Sequence, residues 1–257
     1  MDKQEFIQKM KDQPFSVLSD LVYQYIVDAI VEIRFPPGSK INTKRLSEEL
    51  GISRTPIRTA LERLVEQKLV EQVGEKGFRV CQIDWKDCMA LYDIREMIES
   101  NAAYIAANTI TEAQLEQLRF SILAAKKARA NSDILALFEA NNRFHDVIVL
   151  STGNNYLIDM YESLKTWIHR YQHSLIAAQK YDINIDRQTS IDRHVVIYRA
   201  IKSRYSRPRN ESAVSHRLFP LFILIYSVFF DVKYCVQGIV VRIWYAESGV
   251  ISAAFED

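Results

Sequence analysis

The sequence predicts a mainly α-helical protein, with an N-terminal winged helix-turn-helix carrying a small β wing, followed by an all-α helical bundle. Helical periodicity runs through most of the chain, and one hairpin pattern interrupts it. The chain has only seven glycines and six prolines, too few for a turn-rich sandwich or barrel. We expect a first domain at 1–83, a second at 84–217, and an atypical apolar tail at 218–257, with irregular structure from about residue 203.

The N-terminal elements follow one another in the order typical of a winged helix-turn-helix. A first helix ends at a Pro-Pro-Gly stop, since proline cannot donate a backbone hydrogen bond. A short second helix ends at Gly51, and Ser53 is a suitable N-cap for the third. The predicted elements are helices at Phe15–Arg34, Thr43–Leu50 and about Ser53–Gln67, and strands at Leu69–Val73 and Phe78–Ile83.

Beyond Asp84 the pattern is helical only, with apolar residues three and four apart. Most of the intervening loops are short, which favours antiparallel neighbours in a bundle. The predicted helices are Trp85–Asn108, Thr111–Ala130, Ser132–Ser151, Asn155–Ala178 and Ser190–Ser203.

Composition indicates an ordinary cytoplasmic protein. The net charge is +1, so any DNA contact must come from a local basic patch. Cys81, Cys88 and Cys235 show no metal-ligand spacing and are expected to be reduced thiols. The polar N-terminus is no signal peptide, and the apolar run Leu218–Phe230 is too short to span a bilayer. We expect no membrane association.

The third helix divides into an apolar face and a polar face. Arg54, Thr55 and Arg58 share the polar side near its N-terminus, where a recognition helix enters the major groove. Arginine can bind guanine through two hydrogen bonds, while Ser53 and Thr55 can hold phosphate. A solvated basic face on a structural helix is the alternative. The predicted buried residues are Ile57, Ala60, Leu61, Leu64 and Val65.

This part of the sequence resembles the DNA-binding domain of the GntR family of bacterial regulators. The motifs that carry the resemblance are FPPG at 35–38, LSEELGISRTPIR at 46–58 and GFRV at 77–80. The resemblance implies that operator contacts are made by Lys44, Arg54, Thr55 and Arg58, and it places Lys76 and Gly77, further candidates for DNA contact, at the wing tip. Lys44 stands where many members have arginine, so its contact is expected to be with phosphate alone.

The helical part resembles the FadR-type C-terminal ligand domain, known as the FCD domain. The matching segments are LYDIREMIE at 91–99, NNRFH at 141–145, TGN at 152–154 and HVVIYRAI at 194–201. Many members hold a divalent metal with one aspartate and three histidines. The resemblance implies a Zn, Ni or Mn site at Asn141, His145, His194 and His216, held weakly because Asn141 replaces the aspartate.

Two alternatives stay open in this domain. Arg95 and Glu99 are four apart, so they form either a helical ion pair or a pair whose guanidinium holds an effector's carboxylate, as in related pockets. His169 and His173 form a rival histidine pair, which we interpret as two histidines on a mixed helix face.

The tail does not resemble the last helix of an FCD domain. Residues Tyr205–Leu218, read one base later with permitted codons, can encode an amphipathic helix containing a histidine. One interpretation is therefore a frameshift, which would make the match of His216 a coincidence.

The sequence favours a ligand-responsive regulator, a repressor or an activator, that binds a palindromic DNA operator as a homodimer and responds to a small organic acid. The alternatives are a metal-dependent enzyme acting on a small carboxylate and a C-terminally altered regulator without ligand response. No general base accompanies the histidines, so we expect no enzymatic activity.

Overall fold

The computed structural model describes residues 1–12, 17–75, 77–177 and 189–205. They form two compact units. The first comprises Met1–Asp84 together with Thr166–Ala177, and the second comprises Trp85–Lys165 and, among the described residues, 189–205.

The first unit contains the predicted helix-turn-helix. Asn42 caps α3 by accepting a hydrogen bond from the Arg45 backbone N–H at 3.0 Å. Gly51 ends the helix in the left-handed conformation, with φ of 68°. Glycine is favoured at this position because residue 51, in the turn after this helix, has a positive φ. The helices that open this unit are α1 (Lys3–Asp12), α2 (Leu18–Val31), α3 (Thr43–Leu50) and α4 (Arg54–Glu66).

The wing is a three-stranded antiparallel sheet with strand order β1-β3-β2. Val73 pairs with Gly77 at the end of the hairpin. A Cβ atom at residue 77 would lie 2.5 Å from the Val73 carbonyl oxygen, so only glycine fits without movement of the backbone. The strands are β1 (Lys40–Ile41), β2 (Val70–Val73) and β3 (Gly77–Val80).

Two elements of this unit escaped prediction. Helix α1 is mostly charged, but its Phe6 is fully buried and packs edge-to-face on Tyr25 with ring centroids 5.6 Å apart. Strand β1 has only two residues, too few to give a periodic pattern. The core also includes the predicted apolar face of α4, except that Val65 is only half-buried.

Residues 166–177, the C-terminal half of helix α8 (Asn155–Ala177), belong to the first unit. Trp167 packs against its apolar core, and Arg170 is fully buried. One terminal nitrogen of Arg170 donates a hydrogen bond to the Cys81 carbonyl. Burial lowers the pKa of this guanidinium. A polar contact thus joins this segment of α8 to the end of the wing.

The second unit is an α-helical bundle, in which α6 packs on α7 and α9, and α5 packs on α7 and α9. Thr111 opens α6 with a reciprocal capping box with Gln114, and Asp133 caps α7. Small alanines at 102, 103 and 106 are buried and allow close approach of the helices. Its helices are α5 (Trp85–Thr109), α6 (Glu112–Ala130), α7 (Ile134–Ser151), the part of α8 (Asn155–Ala177) that ends at Lys165, and α9 (Thr189–Tyr205).

Helix α9 continues two residues beyond the predicted end at Ser203. The tail at 218–257, the frameshift interpretation and His216 lie outside the described residues. None of the described helices combines the length and hydropathy needed to cross a lipid bilayer. The predicted fold class, a winged helix-turn-helix followed by a helical domain, is confirmed by the observed element order.

Candidate nucleic-acid interface and buried polar cluster

Helix α4 presents a polar face at its N-terminus because its opposite face is buried. Ile57, Leu61 and Leu64 are fully buried in the first unit's core. Ser53, Arg54, Thr55 and Arg58 are exposed, as the sequence predicts. Ser53 occupies the N-cap position with extended backbone, but its side chain makes no capping hydrogen bond. Its hydroxyl is therefore not committed to the helix.

Arg58 on α4 and Lys44 on α3 form exposed ion pairs within their own helices. Arg58 Nε lies 2.9 Å from Glu62 Oε1, and Lys44 Nζ lies 3.9 Å from Glu48 Oε1. Exposed pairs of this kind contribute little to stability. Exchanging them for contacts with DNA phosphate or base edges therefore costs little.

On the wing, Arg79 pairs across the strands with Glu71, with Nε 2.7 Å from Oε1. Its charge is therefore balanced by a carboxylate of the same sheet. Gly77 begins β3 beside the hairpin turn, and Lys76 lies outside the described residues.

The second unit holds a buried group of charged and polar side chains. We call this group the polar cluster, and its members come from α5, α7 and α9. Arg95 Nε donates to Glu99 Oε1 at 2.5 Å, and Glu99 Oε2 lies 2.9 Å from His145 Nδ1. His145 Nε2 lies 3.1 Å from His194 Nε2. The members of the polar cluster are Arg95, Glu99, Asn141, His145 and His194.

Neighbouring charges decide the ionisation of the cluster. Burial opposes the charge on Glu99, but Arg95 and His145 outweigh it and hold the pKa of this carboxyl below its usual value. Burial likewise opposes the charge on Arg95, and Glu99 raises the pKa of the guanidinium. Burial, reinforced by His145 and Arg95, lowers the pKa of His194 well below its usual value. His194 is therefore a neutral imidazole at neutral pH.

Aromatic packing fixes the two imidazoles. The Phe144 ring stacks on His194 with centroids 4.2 Å apart and meets His145 edge-on at 5.7 Å. One turn before His145 on α7, Asn141 is buried, and its Oδ1 has no hydrogen-bond partner among the described residues. A buried acceptor without a partner costs stability unless a ligand satisfies it.

The structure thus brings His145 and His194 together next to Glu99, the partner of Arg95, and Asn141 lies one turn before His145 on α7. Within the described ranges there is no group of three or more His, Cys, Asp or Glu side chains that could hold a metal ion. The donor set available there is two imidazoles and one carboxamide. The rival residues His169 and His173 belong to the first unit instead.

Comparison with known families assigns both units. Residues 18–80 match the family model described as "Bacterial regulatory proteins, gntR family". Residues 90–213 match the FCD domain. The chain belongs to the GntR family.

Individual relatives agree with this assignment. The HTH-type transcriptional repressor GlaR of Escherichia coli is 25% identical over 206 residues, which are 79% of this chain and 93% of GlaR. An uncharacterized HTH-type transcriptional regulator of Bacillus subtilis, YdhC, is 24% identical over 76% of this chain and 85% of its own length. The solved structure of E. coli McbR/YncC superposes with a TM-score of 0.69 at 20% identity, over 90% of this chain and all of McbR. This GntR-family chain is a DNA-binding transcriptional regulator of the FCD type.

Sequence reasoning missed the central position of Glu99 in this regulator. The spacing of four residues indicates its contact with Arg95, but nothing in the local pattern indicates the contact with His145 on α7. One usable signal is that His145 is a predicted metal ligand, because metal-binding histidines commonly pair with carboxylates and Glu99 is an acidic residue of the same domain.

Proposed function

We propose that this chain is a ligand-responsive transcriptional regulator that binds a palindromic operator as a homodimer and whose DNA affinity changes when a small organic acid binds. The observation that carries the proposal is the polar cluster, which buries charged groups inside a helical bundle. Such burial is weak as a source of stability, because desolvation offsets the attraction between the charges. Binding of a polar ligand would account for these buried charges, since they contribute little to stability.

Arg95 supports an organic acid as the effector. Among the described residues its hydrogen bond is made through Nε, which leaves the two terminal nitrogens for a ligand. A guanidinium binds a carboxylate well because two N–H groups can donate to two oxygens in one plane. Arg95 can therefore keep its ion pair with Glu99 through Nε while its terminal nitrogens bind the effector's carboxylate.

The donor set also fits a divalent metal. Two imidazole nitrogens bound to one ion at about 2.0–2.1 Å lie roughly 3–3.4 Å apart. The 3.1 Å separation of the His145 and His194 Nε2 atoms falls in this range, and Asn141 offers a buried oxygen. We propose that Asn141, His145 and His194 hold Zn, Ni or Mn weakly, with the neutral carboxamide giving less attraction than a carboxylate. A bound metal would supply positive charge for the effector's carboxylate.

Dimer formation and the palindrome rest on the single helix-turn-helix in each chain. One recognition helix reads too few bases for specificity, and dimers of this class bind two half-sites about one helical turn apart. The name of GlaR states that it is a repressor, which supports repression as the action of this chain.

The proposal is tested in two steps with an operator obtained by in vitro selection. Fluorescence anisotropy first compares the full palindrome with an isolated half-site, and analytical ultracentrifugation counts the chains bound. A set of small mono-, di- and tricarboxylates is then added to the complex. We expect two chains per palindrome, much weaker half-site binding, and at least one acid that changes the Kd tenfold or more. Equal affinity for the half-site, or no response to any acid, would contradict the proposal.

A metal-dependent enzyme is the second candidate, and the histidine pair is the observation that favours it. Incubation of the metal-loaded protein with the same acids, followed by mass spectrometry, distinguishes the two. Turnover of any acid would favour the enzyme, and recovery of every acid unchanged would favour the regulator.

A further inference from the structure

Glu99 connects the two halves of the polar cluster. Its carboxylate is fully buried on α5, with one oxygen on Arg95 of the same helix and the other 2.9 Å from His145 Nδ1 on α7. His145 in turn has its opposite nitrogen, Nε2, directed at His194. The chain of contacts therefore runs from Arg95, which we propose binds the effector, through the Glu99 carboxylate to His145 and His194.

This arrangement sets the tautomer of His145. A carboxylate only accepts hydrogen bonds, and the other oxygen of Glu99, Oε1, accepts one from Arg95 Nε at 2.5 Å. The 2.9 Å approach of Glu99 Oε2 to Nδ1 therefore favours an imidazole hydrogen on Nδ1, which leaves a lone pair on Nε2. In the metal-free protein, His194 Nε2–H then donates across the 3.1 Å separation to that lone pair.

We propose that Glu99 is a positioning residue that holds His145 in the Nδ1–H tautomer, with Nε2 ready to bind a metal. The inference rests on the proposed metal site for its purpose, but the tautomer itself is a property of the metal-free protein. Removing a partner that orients a metal-ligand histidine typically weakens metal binding 10–100-fold.

Glu99→Gln tests this with almost no change in shape. Arg95 can only donate, so the amide oxygen of the new side chain faces Arg95 and its NH2 group faces His145. His145 Nδ1 must then accept a hydrogen bond, which moves the hydrogen to Nε2 and blocks the lone pair. The variant should therefore show the opposite tautomer and weaker metal binding.

The experiment uses long-range ¹H–¹⁵N NMR of the histidine rings in the full-length, metal-free protein, followed by Zn²⁺ titration in a calorimeter. We expect the Nδ1–H tautomer for His145 in the wild type, the Nε2–H tautomer in Glu99→Gln, and Zn²⁺ binding at least tenfold weaker in the variant. Glu96→Gln is the matched control. Glu96 is also buried on α5, one turn before Glu99, and its replacement should leave the His145 tautomer unchanged.

The outcomes separate this inference from the proposed metal site. If the wild type and Glu99→Gln show the two expected tautomers but the wild type binds no Zn²⁺, the result would contradict the metal site and support the positioning role. An Nε2–H tautomer in the wild type would overturn the inference even if Glu99→Gln fails to fold. Weaker Zn²⁺ binding with an unchanged tautomer would also overturn it, because the carboxylate would then act through its charge alone.

Discussion

The exposed face of α4 and the polar cluster use the same kinds of residues in opposite surroundings. On α3 and α4 the side chains of Lys44 and Arg58 are 69% and 48% exposed, and they pair with carboxylates on the same helix. In the cluster the side chains of Arg95 and Glu99 are 8% and 1% exposed. Both regions contain a cation and a glutamate four residues apart on a helix.

The two ion pairs differ in how easily they can be separated and exchanged for contacts with another molecule. An exposed pair is screened by water and salt, so it is easily exchanged for DNA phosphate or a base edge. A buried pair cannot be separated without leaving a charge in a medium that solvates it poorly. The exposed face is therefore suited to reversible contact with a large polyanion, and the cluster is suited to a small ligand that enters and completes it.

The largest expected effect comes from breaking the buried pair. Arg95→Met should lower the free energy of unfolding by about 3–5 kcal/mol, because Glu99 then loses the guanidinium that balances its buried charge. Urea denaturation followed by circular dichroism measures the change. The matched substitution in the exposed pair, Arg58→Met, should change stability by no more than about 0.5 kcal/mol. Similar losses for the two variants would remove the distinction between the regions.

A smaller effect is expected at the DNA interface. Arg54→Ala and Arg58→Ala should each reduce operator affinity by about 1–3 kcal/mol and relax base preference, because guanidinium groups bind base edges. Lys44→Ala should weaken binding to all sequences equally and reduce the slope of log affinity against log salt by about 1. Anisotropy titrations on the selected operator and on single-base variants measure both quantities. Altered base preference in Lys44→Ala, with none in the arginine variants, would contradict these roles.

The smallest expected effect is an increase in Zn²⁺ affinity. Asn141→Asp places an anionic oxygen where the neutral carboxamide Oδ1 is now buried without a partner among the described residues. Zn²⁺ affinity should rise on the order of tenfold, because a carboxylate attracts a divalent cation more strongly in a low-dielectric site. Calorimetric titration gives the change. Replacing both His169 and His173 is the control and should leave Zn²⁺ affinity as it is; loss of binding in that control would move the site to the rival pair.

The sequence could predict the parts of this molecule that depend on local patterns. The apolar face of α4, the glycine turn at Gly51 and the wing follow from periodicity and from the backbone preferences of single residues. Helix α1 could not be predicted in the same way, since its burial depends mainly on Phe6 reaching Tyr25.

The polar cluster depends even more on contacts between distant parts of the chain, which local sequence patterns do not predict. His145 and His194 are 49 residues apart, and only family resemblance indicated that they meet. Glu99 has a partner four residues away at Arg95, and this spacing leaves open whether the two form a simple helical ion pair. Its contact with α7 is a product of tertiary packing, which has no signature within the sequence of α5.

The central claim is that the polar cluster controls DNA binding by sensing a carboxylate. The most direct test measures the operator Kd with and without the active acid for the wild type and for Arg95→Lys. Lysine keeps the positive charge beside Glu99 but lacks the planar fork that binds two carboxylate oxygens. We predict that Arg95→Lys binds the operator with wild-type affinity in the absence of the acid and loses most of the response to it. A variant that responds to the acid as the wild type does would contradict the claim.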